Sequence, residues 1–301
     1  MAVGVLILLF VVYQLWGTGI FTARAQDRLE KNFKQQIQAA ENNTVRRART
    51  PAKPGATTTT TIAFSHRVAP LSPQPDGEVE GAIQIPKIGV NFWYVEGTSR
   101  DDLKKGPGHY PGTPLPGTLG NAGIAGHRTT YLHPFGDLDK LHTGDDIIIT
   151  TLAGTVFDYK VSREPFDVYP TEVWVVANTL DPQLTLTACT PKGSAAQRIV
   201  VKATLSTKQS APPTVTPKRP TTGPGRTRPS DATLAEGLSG QQRSLKPSVV
   251  WGIIVALVGL TWWWAFRRWR HPRTWLVGVL PFLVALFPFY VYLERALPSG
   301  Y

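Results

Sequence analysis

Gln183-Leu184-Thr185-Leu186-Thr187-Ala188-Cys189 alternates apolar and polar side chains and ends on the only cysteine of the chain. A period-two run of this kind reads as a β-strand with a buried face. A Thr190-Pro191-Lys192-Gly193 turn follows, then a second strand, Arg198 to Leu205, whose pleat leaves Arg198 free to face either side. Working back toward the N-terminus, short apolar runs broken by Gly, Pro and Asp continue to about Glu78. They are Gly81–Pro86, Gly89–Val95, Asn121–Ala125, Asp146–Leu152, Thr155–Val161 and Thr171–Val176. About seven or eight strands with no helical period between them predict an all-β domain, a closed barrel or a sandwich. Phe135–Leu141 reads as one short helical turn before Gly144-Asp145.

Three apolar stretches lie outside this domain: residues 1–21, 248–266 and 274–293. At about 1.5 Å per residue the last two reach roughly 27 and 30 Å, enough to cross a bilayer core, so the reading is three transmembrane helices. The first has no basic leading region and no Ala-x-Ala-like site closing it, which favours an uncleaved anchor over a signal peptide. Arg267, Arg268, Arg270 and Arg273 crowd the 267–273 connection and place it in the cytoplasm, with the strand-rich domain and the 294–301 tail outside. Between the anchor and the domain, residues 22–75 hold Leu29, Phe33 and Ile37 at helical spacing and then a Thr/Pro-rich linker with five threonines at Thr57–Thr61. The spacing leaves open whether that short amphipathic helix packs on the domain or lies on the membrane. Residues 208–247 hold seven prolines and read as a second linker.

The formal charge of +11 does not mark a nucleic-acid binder. Residues 76–207 carry 11 Lys and Arg against 15 Asp and Glu, a net of −4, so the excess sits in the flanks, where it suits anionic lipid headgroups or wall polymers. No basic stripe with interleaved aromatics is present in the domain. No Cys-x-x-Cys or His-x-x-x-His spacing supports a metal, and no cofactor motif is found.

A lone cysteine ending a strand is ordinarily a small buried hydrophobe. An exported chain cannot pair it internally, so Cys189 is a free thiol, and a cationic neighbour such as His127 or Arg198 would lower its pKa. Among the six histidines, His271 and His66 fall in the loop and the linker, and His109, His133 and His142 read as solvated loop residues. His127 closes Gly123-Ile124-Ala125-Gly126, where glycines permit close backbone approach, 62 residues before the cysteine. A cysteine, a histidine and an arginine are the nucleophile, acid/base and oxyanion donor of an acyl-transfer enzyme.

The arrangement resembles the sortase family of surface cysteine transpeptidases. Thr185-Leu186-Thr187-Ala188-Cys189, Arg198 nine residues on, and His127 carry the resemblance over roughly residues 78–205. Gly126-His127-Arg128-Thr129-Thr130-Tyr131 and Gly106-Pro107-Gly108-His109-Tyr110-Pro111-Gly112-Thr113 are similar to the class E branch of actinobacteria. Ala188 departs from the family's Thr or Ser before the cysteine, a hydroxyl thought to help at the substrate backbone or oxyanion. The resemblance implies a sortase-like closed barrel of about eight strands with short helices, residues 76–207 being the catalytic domain. It implies Cys189, His127 and Arg198 as catalytic residues and Tyr110, Thr187 and Ala188 at the substrate, with no cofactor and no metal. The implied reaction cleaves a Leu-Ala/Pro-x-Thr-Gly signal and passes the acyl group to an amine. The implied partners are surface proteins bearing a C-terminal sorting signal, the lipid-linked peptidoglycan precursor and the membrane, with the domain extracellular on a multi-pass membrane protein. A pilin-polymerising member and a catalytically weak, wall-associated scaffold are the alternatives. Asp181-Pro182-Gln183 lacks the aromatic of a polymerase lid motif.

Overall fold

The computed structural model describes residues 9–49, 73–206, 246–268 and 272–296. They divide into two compact units, one holding residues up to Gly17 and from Gly240 to Gly300, the other Thr18 to Ser239.

The larger unit is built on nine strands: β1 (Val79–Ile85), β2 (Val90–Glu96), β3 (Gly108–His109), β4 (Asn121–Ala125), β5 (Asp146–Thr151), β6 (Val156–Val161), β7 (Phe166–Val168), β8 (Gln183–Thr190) and β9 (Gln197–Leu205). The order is β6-β5-β1-β2-β3-β4-β8-β9, and a β6–β9 pairing closes the ring into an eight-stranded barrel, with β7 added on β9. Closure removes the open edges that would otherwise template aggregation. Most neighbours are antiparallel, but β2–β3 and β4–β8 are parallel.

Alternation along each strand fills the interior. Ile83, Ile85, Ile124, Ile147, Ile149, Phe157, Tyr159, Leu184, Leu186, Ala188, Ile199 and Val201 form one buried core. The opposite faces of β4, β8 and β9 are buried too. Ala125, Cys189 and Val200 pack there with Leu103, Tyr110, Val168, Val175 and Val176 in a second apolar layer. One expected strand is lost and two short ones are added. Thr171–Val176 is not a strand but a loop ending in a 3-10 turn, Val173–Val176, opened by the Tyr169 N–H donating to Glu172 Oε2 at 2.7 Å. β3 and β7 are too short to show a period and go unread in the sequence.

Helix α1 (Thr18–Arg49) is longer than the short amphipathic helix the spacing predicts, and it docks on the barrel. Leu29 and Phe33 are buried with Val79 and Val95, and Phe33 meets the Trp93 ring at 4.5 Å. The Gln26 side chain satisfies three main-chain groups, donating to Trp93 O and Lys105 O and accepting from Trp93 N. Residues 50–72 and 207–245, which carry most of both expected linkers, lie outside the described residues. A single turn, α2 (Arg100–Leu103), is capped by Ser99.

The smaller unit contains α3 (Lys246–Arg268) and α4 (Pro272–Ala296), with Tyr13, Val255, Ala285, Leu286 and Tyr290 buried together. Among the described residues only Pro247–Ala265 is long and apolar enough to cross a membrane; Gly278–Leu293 is a shorter apolar helix. Of the three expected spans, one is thus found among the described residues; residues 1–8 of the first lie outside them, and the described apolar stretch of the third, Gly278–Leu293, is shorter than a span.

Candidate active site

Strand β8 presents Cys189 on the barrel's outer face. Leu184, Leu186 and Ala188 point into the core, so Thr185, Thr187 and Cys189 point the other way. The register pairs Cys189 with Arg198 directly across the β8–β9 ladder. Ile199 and Val201 face the core, which places Arg198 on the same outer face as the sulfur. Residues directly opposite in an antiparallel pair lie about 5 Å apart at Cβ. The Arg198 guanidinium donates through Nη1 to Ala195 O and Gln197 O, both at 2.9 Å, which holds it at the β8–β9 turn.

His127 arrives from the other side. Strand β4 runs parallel to β8, and Gly126 N–H extends that ladder by donating to Thr187 O at 3.0 Å. Only glycine fits at 126, since a Cβ there would lie 2.6 Å from the Phe135 ring. The imidazole follows, with the Thr130 hydroxyl 3.3 Å from Nδ1 and the Tyr131 ring 4.7 Å away, centroid to centroid. Tyr131, Leu132 and His133 all have positive φ, an uncommon conformation for side-chain-bearing residues. Helix α1 braces this turn: Thr18 Oγ1 accepts from Tyr131 N–H at 3.2 Å, and Gly19 lies against the Leu132 side chain.

Cys189, His127 and Arg198 are each 3% exposed. Burial pulls the His127 pKa down to about 3, and Lys104 and Arg100 add to the effect, so the resting imidazole is neutral and able to accept a proton. Tyr110, from the loop after β3, places its hydroxyl 2.8 Å from Thr187 Oγ1, two residues before the cysteine on the same face. Gly123 makes room for it, since a Cβ there would lie 2.7 Å from the Tyr110 ring. Ala188 is set apart from the other named residues. Its methyl packs in the barrel core, so a side chain at this position meets apolar neighbours rather than the outer face.

Other residues of the site were not legible from sequence. His109, read as a solvated loop residue, is fully buried in β3. Its Nδ1 lies 2.6 Å from Glu96 Oε2 and its Nε2 3.0 Å from Pro114 O. Both ring nitrogens face acceptors, which suits the imidazolium. Burial alone would depress the pKa, but Glu96 and the Pro114 carbonyl outweigh it and raise it. Thr113 Oγ1 donates to Tyr110 O and accepts from Gly123 N–H, completing the clamp on the Tyr110 loop. Among the described residues no His, Cys, Asp or Glu cluster is arranged to hold a metal.

Residues 83–206 match the model of the sortase domain. These residues form a sortase domain. It is similar to sortase SrtE1 of Streptomyces coelicolor, 32% identical over 217 residues that cover 66% of this chain and 53% of the relative. Sortase D of Bacillus subtilis is 33% identical over 129 residues, 42% of this chain and 63% of that one. The chain therefore spans about half to under two thirds of these relatives' lengths. Among solved structures, sortase E of Streptomyces avermitilis is 35% identical, with a TM-score of 0.40 over 44% of this chain and 91% of that one.

Proposed function

We propose that this sortase is a cysteine transpeptidase. It cleaves a Leu-Ala/Pro-x-Thr-Gly sorting signal between Thr and Gly and joins the acyl group to an amine of a lipid-linked cell-wall precursor. The observation that supports this best is the cross-strand pairing of Cys189 with Arg198 on the outer face, with the His127 loop hydrogen-bonded to the same strand.

In this reading the neutral His127 imidazole takes the Cys189 thiol proton, and the sulfur attacks the Thr carbonyl carbon. Negative charge gathers on the carbonyl oxygen, where Arg198 donates; one such donor is typically worth about 3 kcal/mol of barrier. Collapse breaks the Thr–Gly bond, and the imidazolium gives its proton to the departing glycine amine. A thioester remains on Cys189. The incoming amine loses a proton to His127 as it attacks, and the sulfur leaves as thiolate. The burial that depresses the His127 pKa favours the step in which the imidazolium gives up its proton and opposes the two steps in which the ring takes one.

Thr187 and Tyr110 flank the nucleophile on its own face and are assigned to the substrate backbone and to the choice of the Leu-Ala signal. Ala188 contributes through its main chain only, consistent with its methyl lying in the core. The apolar helix Pro247–Ala265 supports a membrane-held enzyme, and the arginines of the 267–273 connection support a barrel outside the cell, where exported substrates and wall precursor meet. Incubating the detergent-purified chain with a Leu-Ala-x-Thr-Gly peptide and an oligoglycine or diaminopimelate-type amine tests the proposal. A new amide product should form that Cys189→Ala and His127→Ala abolish. A folded chain with an alkylatable thiol and no product contradicts it.

A further inference from the structure

Arg128, the residue after His127, is 5% exposed and spans three segments of the site. Its Nη1 donates to the main-chain oxygen of Cys189 at 3.2 Å, its Nη2 to Asp139 Oδ1 at 2.8 Å and its Nε to Gly136 O at 3.5 Å. These groups belong to the end of β8, to the Leu138–Lys140 turn, and to the segment that returns from the histidine loop. Gly126–Thr187 is the last main-chain rung joining β4 to β8 among the described residues. Beyond it, the Arg128 bond to Cys189 O ties the two chain segments together at the level of the nucleophile.

We propose that Arg128 is a positioning residue that sets the separation and orientation of the Cys189 sulfur relative to the His127 ring. It touches neither the substrate nor the reacting atoms. The guanidinium fork reaches all three acceptors at once with fixed geometry, whereas an ammonium on a flexible stem does not. A displacement of about 1 Å between reacting groups can cost on the order of a hundredfold in rate, so a bond acting only on alignment has large leverage. The inference rests on the acyl-transfer reading above, and its test separates the two.

The full-length chain in detergent is compared with Arg128→Met and Arg128→Lys. Three quantities are measured well below each melting temperature: kcat, KM for the Leu-Ala-x-Thr-Gly peptide, and the rate of Cys189 alkylation by iodoacetamide against pH. Arg128→Met is expected to lower kcat roughly 30-fold with KM within about threefold, and to change the alkylation rate at least about fivefold. Arg128→Lys should recover part of the lost kcat, because it restores one donor. A purely structural arginine would lower the melting temperature and leave kcat, KM and the alkylation profile of the folded protein unchanged, which overturns the proposal. If Arg128→Met does not fold, Arg128→Lys decides, since wild-type kcat and alkylation there also overturn it. A wild-type chain that makes no product refutes the acyl-transfer reading instead. The alkylation rates then settle positioning, and equal rates in all three proteins overturn it.

Discussion

Replacing His127 with glutamine changes how the stability of the barrel depends on pH. In the folded chain the His127 ring is buried against Tyr131 and its pKa lies at about 3. In the unfolded chain it titrates near 6.5. Below that value the unfolded state binds a proton that the folded state refuses, so stability is whole above pH 6.5 and falls as the pH drops toward 3. The slope approaches about 1.4 kcal/mol per pH unit, and between pH 6.5 and 4.5 the loss is roughly 2 kcal/mol. At about 2–4 °C per kcal/mol, the melting temperature falls by roughly 4–8 °C. Burial raises the pKa of Asp102 and of Asp158, which works in the opposite sense on acidification. Both carboxyls are present in wild type and variant, so the difference between the two curves isolates His127. Thermal unfolding of the detergent-solubilised chains at half-unit pH steps reads it directly. Curves that run parallel from pH 6.5 to 4.5 refute the reasoning, because the folded-state imidazole would then titrate as it does unfolded.

Three further outcomes follow from neighbouring residues. Glu96→Gln strips the buried His109 of its counter-charge and should cost about 3 kcal/mol in urea unfolding. Because His109 has a raised pKa, the stability that the pair contributes is present below about pH 6.5 and lost as pH rises through the folded value. Tyr110→Phe removes the hydroxyl bond to Thr187 and should cost about 1 kcal/mol. Competition between the two peptides should show its preference moving from Leu-Ala toward Leu-Pro. Phe33→Ala empties the contact of α1 with Trp93 and should cost about 2–3 kcal/mol in thermal unfolding.

The strands were legible because they alternate over long enough runs, whereas the alternation left barrel and sandwich both open until the β6–β9 pairing closed the ring. Gln183–Ala188 and Arg198–Leu205 show which residues share a face, though not which face is the interior. The register resolved that for Arg198, since pairing with Cys189 and burial of Ile199 and Val201 leave it one side. What stayed hidden depends on contacts across long sequence separation. His109 sits in a two-residue strand with no period of its own, and its partner Glu96 lies on another strand. Thr171–Val176 carries enough β-branched residues to imitate a strand, yet Pro170 and the Glu172 side chain turn it into a loop. Helix α1 showed its apolar stripe, but only packing against Val79, Val95 and Trp93 reveals that the stripe faces the barrel. Arg128 stood in a quoted motif without a role, because its bond to Cys189 O spans 61 residues.

Intact-mass spectrometry of the full-length chain incubated with Leu-Ala-x-Thr-Gly and Leu-Pro-x-Thr-Gly peptides tests the central claim most directly. A thioester adduct of the peptide acyl fragment on Cys189 is predicted, formed preferentially with the alanine peptide and absent from Cys189→Ala. A folded chain whose thiol reacts with iodoacetamide but forms no adduct with either peptide would contradict the assignment of Cys189 as the nucleophile.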